Sequence, residues 1–180
     1  MQRYVVRPEM VQDVLIRLQL QAPAIDAFGT ATTTKCPVWW GPGAVAKTAW
    51  SQSWRYQDVG LLWCNPKFNV FDLMAIIRTI QQQKGRCILI APDWPQEDFA
   101  EAMWPLAKRY YYYGPDSGLF EATKGQKAFN KQAWGGWALY LKGDQDEKDK
   151  QAVILAEVKV VRTTSSRRRY RRRHLRASQE

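Results

Sequence analysis

The run RCILIAP, residues 86–92, constrains this chain more than any other stretch, because behind its one arginine it is apolar without interruption. A strand with no polar alternation has to be covered on both faces, which requires a sheet flanked by helices on two sides. GLLWC (60–64) is a second strand of this kind, and AIDAF (24–28) a shorter one ending near Asp26. Between them the spacing predicts helices. Pro8 followed by EMVQDVLIRLQL places proline in a first helical turn and repeats Met10, Val14, Leu15 and Leu18 at helical intervals. Asn69 is placed to cap a second helix with Phe71, Met74, Ile77 and Ile80 on one face, ended by Gly85. DWPQEDFAEAMWPLAKR supplies a third, broken at Pro105, with Asp93 as its cap or, alternatively, turned toward the strand ends. YYYYG (110–114), GLFEA, GGWALYLKG and QAVILAEVKVVR (151–162) follow as strands. Strands alternating with helices and then running in succession predict an α/β sheet, parallel at its centre and antiparallel at its edge.

Two segments resist regular structure. GTATTTKCPVWWGPGAVAKTAWSQSW holds too much Gly, Pro and Thr, and reads as a long excursion carrying Trp39, Trp40, Trp50 and Trp54. Those tryptophans either pack under the loop or touch a ligand. The C-terminal SSRRRYRRRHLR cannot form a core and repels itself. Residues 161–180 hold eight arginines and one acidic residue, so they carry +7 of the net +10. Arg167, Arg168, Arg169, Arg171, Arg172 and Arg173 around Tyr170 exceed what solubility needs, and point to nucleic-acid phosphates. An import signal is the plainer alternative.

Several function classes recede. Of the 180 residues 46% are hydrophobic, enough for one domain with a real core, yet no apolar run reaches the roughly 18–20 residues that would cross a membrane. The start, MQRYVVRPEM, lacks the long apolar stretch of a secretory signal, so an intracellular setting is expected. Cys36, Cys64 and Cys87 are scattered and odd in number, and the sole histidine, His174, lies in the tail. Neither a disulfide framework nor a metal centre is expected, and a reducing compartment is.

In parallel α/β sheets ligands bind beyond the carboxyl ends of the strands. Here those ends deliver Asp26, then NPKF (65–68), then PDWP (92–95). Asn-Pro-x-aromatic at such an end suits one task. The amine of adenine is a poor nucleophile, and two carbonyl oxygens that accept its hydrogens stabilise the positive charge built up as it attacks a methyl donor. The Asn65 side chain and the Pro66 backbone are the candidate acceptors, with Phe68 the stacking plate for a base rotated out of its duplex. The same residues also suit a strand that ends in a proline turn, with Asn65 a local cap and Phe68 in the core.

The order of the pieces adds a resemblance over about residues 4–142. RYVVRPEMVQDVL, DAFGTATTTKCPVWW, AWSQSW, LLWCNPKF and CILIAPDWPQEDF are similar, in sequence and spacing, to successive motifs of the phage-type DNA N-6-adenine methyltransferases. The last of them is most similar to the related domain of tyrosine-recombinase retrotransposons. The resemblance implies a Rossmann-like methyltransferase fold over 1–143, S-adenosylmethionine as donor and DNA adenine as acceptor. It places Asn65, Pro66 and Phe68 at the family's catalytic positions, and Asp26, with Phe28 beyond it, beside the cofactor. Lys67 stands where the family has a second proline, and its ammonium either opposes the charge of the reaction or grips a phosphate. An alternative is a catalytically inactive, phage- or retroelement-derived subunit that binds DNA or RNA within a larger complex.

Beyond the domain come a charged linker (144–150), the strand 151–162 and the basic tail 163–180. Deleting residues 165–180 is expected to weaken DNA binding and to lower the slope of log K against log salt by up to about 5, measured by fluorescence anisotropy across a salt series. An unchanged slope removes the tail from the interface.

Overall fold

The computed structural model describes residues 4–94, 98–121 and 134–144. The elements run β1 (Val5–Val6), α1 (Pro8–Leu18), β2 (Ile25–Asp26), β3 (Val38–Trp39), α2 (Tyr56–Val59) and β4 (Leu61–Cys64). They continue with α3 (Val70–Gln83), β5 (Arg86–Pro92), α4 (Asp98–Met103), β6 (Ala107–Tyr113), β7 (Phe120–Glu121) and β8 (Gly136–Lys142). Six strands form one sheet in the order β3-β2-β4-β5-β8-β6, and β1 pairs with β7 in a separate antiparallel ribbon. β3, β2, β4 and β5 are mutually parallel, while β8 runs against both of its neighbours, β5 and β6. The architecture is thus α/β with a mixed sheet, parallel through its centre and antiparallel toward one side. The linker from residue 145, the strand expected at 151–162 and the basic tail lie outside the described residues.

The continuous apolar character of β5 has the cause anticipated for it. Cys87, Leu89 and Ala91 face one core, shared with Leu62 and Cys64 of β4 and with Leu73, Ile76, Ile77 and Ile80 of α3. Ile88 and Ile90 face the other, with Trp63 of β4 and Val14, Leu15 and Leu18 of α1. α1 is fixed at its far end by Arg109, whose guanidinium donates to the carbonyls of Leu18 and Gln19 at 2.8 and 2.9 Å. At mid-helix, the Tyr113 hydroxyl donates to the Asp13 carboxylate at 2.6 Å.

Local signals fared differently. Asn69 does cap α3, accepting from the Asp72 amide at 2.8 Å. The helix ends one residue earlier than its glycine suggests. Lys84, at φ 53°, takes the left-handed position, and the amide of Gly85 then donates back to Ile80 at 3.0 Å. Gly85 is needed for a different reason: a Cβ there would stand 2.5 Å from the Trp54 carbonyl. Phe71 does not share the buried face of Ile77 and Ile80 but is 87% exposed. The excursion contains β3, a two-residue strand too short to announce itself. The Oδ1 of Asp93 accepts from the Trp137 indole at 3.2 Å; whether Asp93 also caps α4 turns on residues 95–97, outside the described residues.

The opposite edge of the sheet is sealed. Arg86 makes paired contacts to Asp144 at 3.1 and 2.7 Å and lies 3.8 Å over the Tyr56 ring. A Cβ on Gly143 would land on the Ile80 carbonyl, so the chain there is packed backbone to backbone. Among the described residues no helix is long and apolar enough to cross a membrane. Lys84 holds a left-handed conformation that glycine adopts without steric cost, so Lys84→Gly is expected to raise stability by roughly 0.5–1 kcal/mol in urea denaturation.

Candidate functional site

Parallel strands bring their carboxyl ends to one edge, and here that edge collects Asp26 from β2, Asn65 to Phe68 after β4, and Asp93 and Trp94 after β5. Because β8 runs the other way, Trp134, two residues before it, arrives at the same edge. The β1–β7 ribbon adds Tyr4 and Phe120. The sequence marked Asp26, Asn65, Pro66 and Phe68; Tyr4, Trp94, Phe120 and Trp134 it did not. Trp94 lay within PDWP and Tyr4 within RYVVRPEMVQDVL without being singled out, and for Phe120 and Trp134 the one signal was the aromatic content, 13%, with no local pattern to place it.

Asn65 is 4% exposed and its amide is held edge-on by β1. Its Oδ1 accepts from the Val6 amide at 3.0 Å, and its Nδ2 donates to the Tyr4 carbonyl at 3.0 Å. The side chain thus bridges the two backbone groups flanking Val5, as a neighbouring strand would. Because the oxygen has to face the N–H and the nitrogen the C=O, the orientation of the amide is set. A primary amide has two acceptor lone pairs and two donor hydrogens, so one of each remains after β1 is served.

Phe68 is 6% exposed and ringed by aromatic side chains. Tyr4 stacks on it, with planes within 10° and centroids 5.6 Å apart. Phe120, Trp134 and Trp94 meet it edge-on at 5.5, 6.0 and 6.3 Å. Pro66 is buried between these two residues, and Lys67 alone of the four is exposed. The ammonium therefore stands in water rather than among the rings.

Asp26 is buried, and both carboxylate oxygens accept backbone amides: Phe28 on Oδ1 and Lys35 on Oδ2, each at 3.1 Å. Its first task is to shape the loop 26–35. That loop is pressed against the end of β3, since a Cβ on Gly29 would sit 2.8 Å from the Trp39 Cβ. Trp39 and Trp63 lie in ladder register on either side of Asp26, and neither indole N–H has a partner among the described residues. Phe28 instead packs with the tryptophans of the excursion, meeting Trp50 at 5.4 Å and Trp54 at 6.0 Å. Trp50 and Trp54 are stacked within 7°, and Trp50 is 47% exposed, so a partly exposed indole stands next to Phe28. Of the four tryptophans, Trp40 and Trp54 are thus core.

The other ionisable groups at this edge are poor chemical agents. Burial pushes the Cys36 thiol up to about 12, with the Asp26 charge adding to it. Burial also pushes Cys64 well up, helped by a hydrogen bond with Cys87. Such thiols are not nucleophiles near neutral pH. Burial, then Asp93, raises Tyr112. Lys35 is nearly buried, with its Nζ 3.9 Å from the Glu121 carboxylate. Beside it a shallow groove of about 450 Å³ runs between Pro8 and Val11 of α1 and the segment Thr34–Pro37.

Removing the Asn65 amide strands the Val6 N–H and the Tyr4 C=O. Asn65→Ala is expected to destabilise the fold by about 2–4 kcal/mol in urea denaturation, one unmet group costing about 1–3 kcal/mol. A loss under about 0.5 kcal/mol, the range of an ordinary surface substitution, shows that β1 does not depend on the amide. No known family model matches the chain, and no curated protein matches it.

Proposed function

We propose that this chain is a Rossmann-like, DNA-binding protein of the adenine methyltransferase type, taking a nucleobase against Asn65, Pro66 and Phe68 and transferring methyl to its exocyclic amine. One observation carries the reading. At the carboxyl end of a central parallel strand stands an amide of set orientation, with one acceptor position left over and an aromatic ring three residues on. Asn65 Oδ1 and the Pro66 carbonyl accept the amine hydrogens and stabilise the positive charge that grows on nitrogen. Phe68 holds the base by stacking, as side chains do for bases drawn out of a duplex. S-adenosylmethionine, when bound, supplies a methyl group on a positively charged sulfur. Phe28 and the partly exposed indole of Trp50 fit such a cation and its purine by stacking and cation–π attraction, while Asp26 holds the loop that carries Phe28. Lys67, exposed to solvent, has its repulsion screened and is placed for a phosphate.

A second reading, a catalytically silent nucleic-acid-binding subunit, is favoured by a separate observation: Asn65 and Phe68 are both already engaged by the chain's own N-terminal strand. Calorimetry with S-adenosylmethionine separates the two. Binding is expected, and its absence up to millimolar donor leaves only the second. With labelled donor and adenine-containing duplex, Asn65→Ala is expected to keep the cofactor and lose about a hundredfold in transfer, the order seen when one preorganised polar group is removed. Undiminished transfer takes Asn65 out of the chemistry.

A further inference from the structure

We propose, building on the base-binding role of Asn65 and Phe68, that the segment Tyr4–Val6 is a built-in occupant of the base position, which a nucleobase reaches only by displacing it. Three observations converge. The Tyr4 carbonyl and the Val6 amide offer the Asn65 side chain one acceptor and one donor side by side. That is the pairing an amide makes with adenine, whose exocyclic amine stands next to an unprotonated ring nitrogen. The Tyr4 ring lies parallel to Phe68, within 10°, in the manner of a stacked base. And both side chains are nearly inaccessible to solvent, with Trp94, Phe120 and Trp134 packed edge-on around Phe68 among the described residues.

β1 is held by a short pairing, two residues long, to a β7 equally short, and its other edge depends on Asn65 itself. Val5 and Val6 are buried, so release has a cost, and base capture becomes an exchange of partners rather than an addition. Apparent affinity is then reduced by the fraction of molecules in which the segment stands aside. Loosening the segment raises that fraction and tightens binding.

The test uses the full chain with single-stranded oligodeoxyadenylate, and oligothymidylate as control. Saturating adenylate is expected to speed exchange of the Val6 amide hydrogen about tenfold or more, because its acceptor has been taken; thymidylate leaves it slow. Tyr4→Ala is expected to bind adenylate about fivefold more tightly, since the lost stack favoured the blocked state. A Val6 amide as protected with adenylate bound as without it overturns the proposal, and so does a Tyr4→Ala chain that binds no tighter. Phe68→Ala tells this failure from that of the base site. If it loses the preference for adenylate while Val6 stays protected in the wild type, the base site stands and displacement falls. If the preference survives in Phe68→Ala, or the wild type shows none, the base site itself falls.

Discussion

A strand edge has to find partners for its N–H and C=O groups, and β1 finds them in a side chain. Its inner edge pairs with β7, and its outer edge is met by Asn65 through one accepted and one donated hydrogen bond. This bridge ties an N-terminal ribbon to the end of a parallel sheet some sixty residues away in sequence. It also decides where Tyr4 stands, since the Tyr4 carbonyl is one of the two bridged groups, and hence which ring covers Phe68. Around that ring Trp94, Phe120 and Trp134 come from three further parts of the chain. One amide thus organises both the polar and the aromatic half of the candidate site.

The two edges of the sheet are treated differently. At the amino ends of the parallel strands, Arg86 is bound to Asp144 and covers Tyr56, and Gly143 lies against the backbone at the end of α3. At the carboxyl ends the backbone is closed by side chains: Asp26 caps its own loop and Asn65 caps β1. Backbone packed on backbone has no alternative arrangement, whereas a side-chain amide or a stacked ring can exchange partners. The side-chain contacts that could be exchanged for a ligand are therefore found at the carboxyl edge.

What could be read from the sequence follows from the range of the forces involved. β4, β5 and β8 declared themselves because strands covered on both faces need unbroken apolar runs, and α1 and the start of α3 because proline and asparagine act within one turn. β1 and β3 did not: β1 runs straight into the start of α1 and β3 lies within the Gly-, Pro- and Thr-rich excursion, so nothing local sets either apart, and their pairing is settled by whatever lies beside them. Phe71 had the spacing of a core residue, but in the first turn of α3 it stands exposed, with no packed layer to cover it. Asn65 and Phe68 were legible as residues with a chemistry. Their present partners were not, because Tyr4 and Trp134 reach them from the far ends of the described chain.

The same contrast bears on Lys67. In the sequence it is the conspicuous departure, an ammonium inserted where positive charge is meant to develop. Yet it is the exposed member of its tetrapeptide, and a charge in water acts on a buried neighbour through a high dielectric and within a short screening length. In the proposed reaction its repulsion would be modest. Engagement of Asn65 and Phe68 by the N-terminal segment is a larger matter for the proposed function, because it bears on whether a base could be held at all. A site can tolerate a screened charge at its rim and still turn over, but it cannot act on a base that finds its place taken. On the proposed reading, then, activity turns on the balance between Tyr4–Val6 and a base for one amide and one ring.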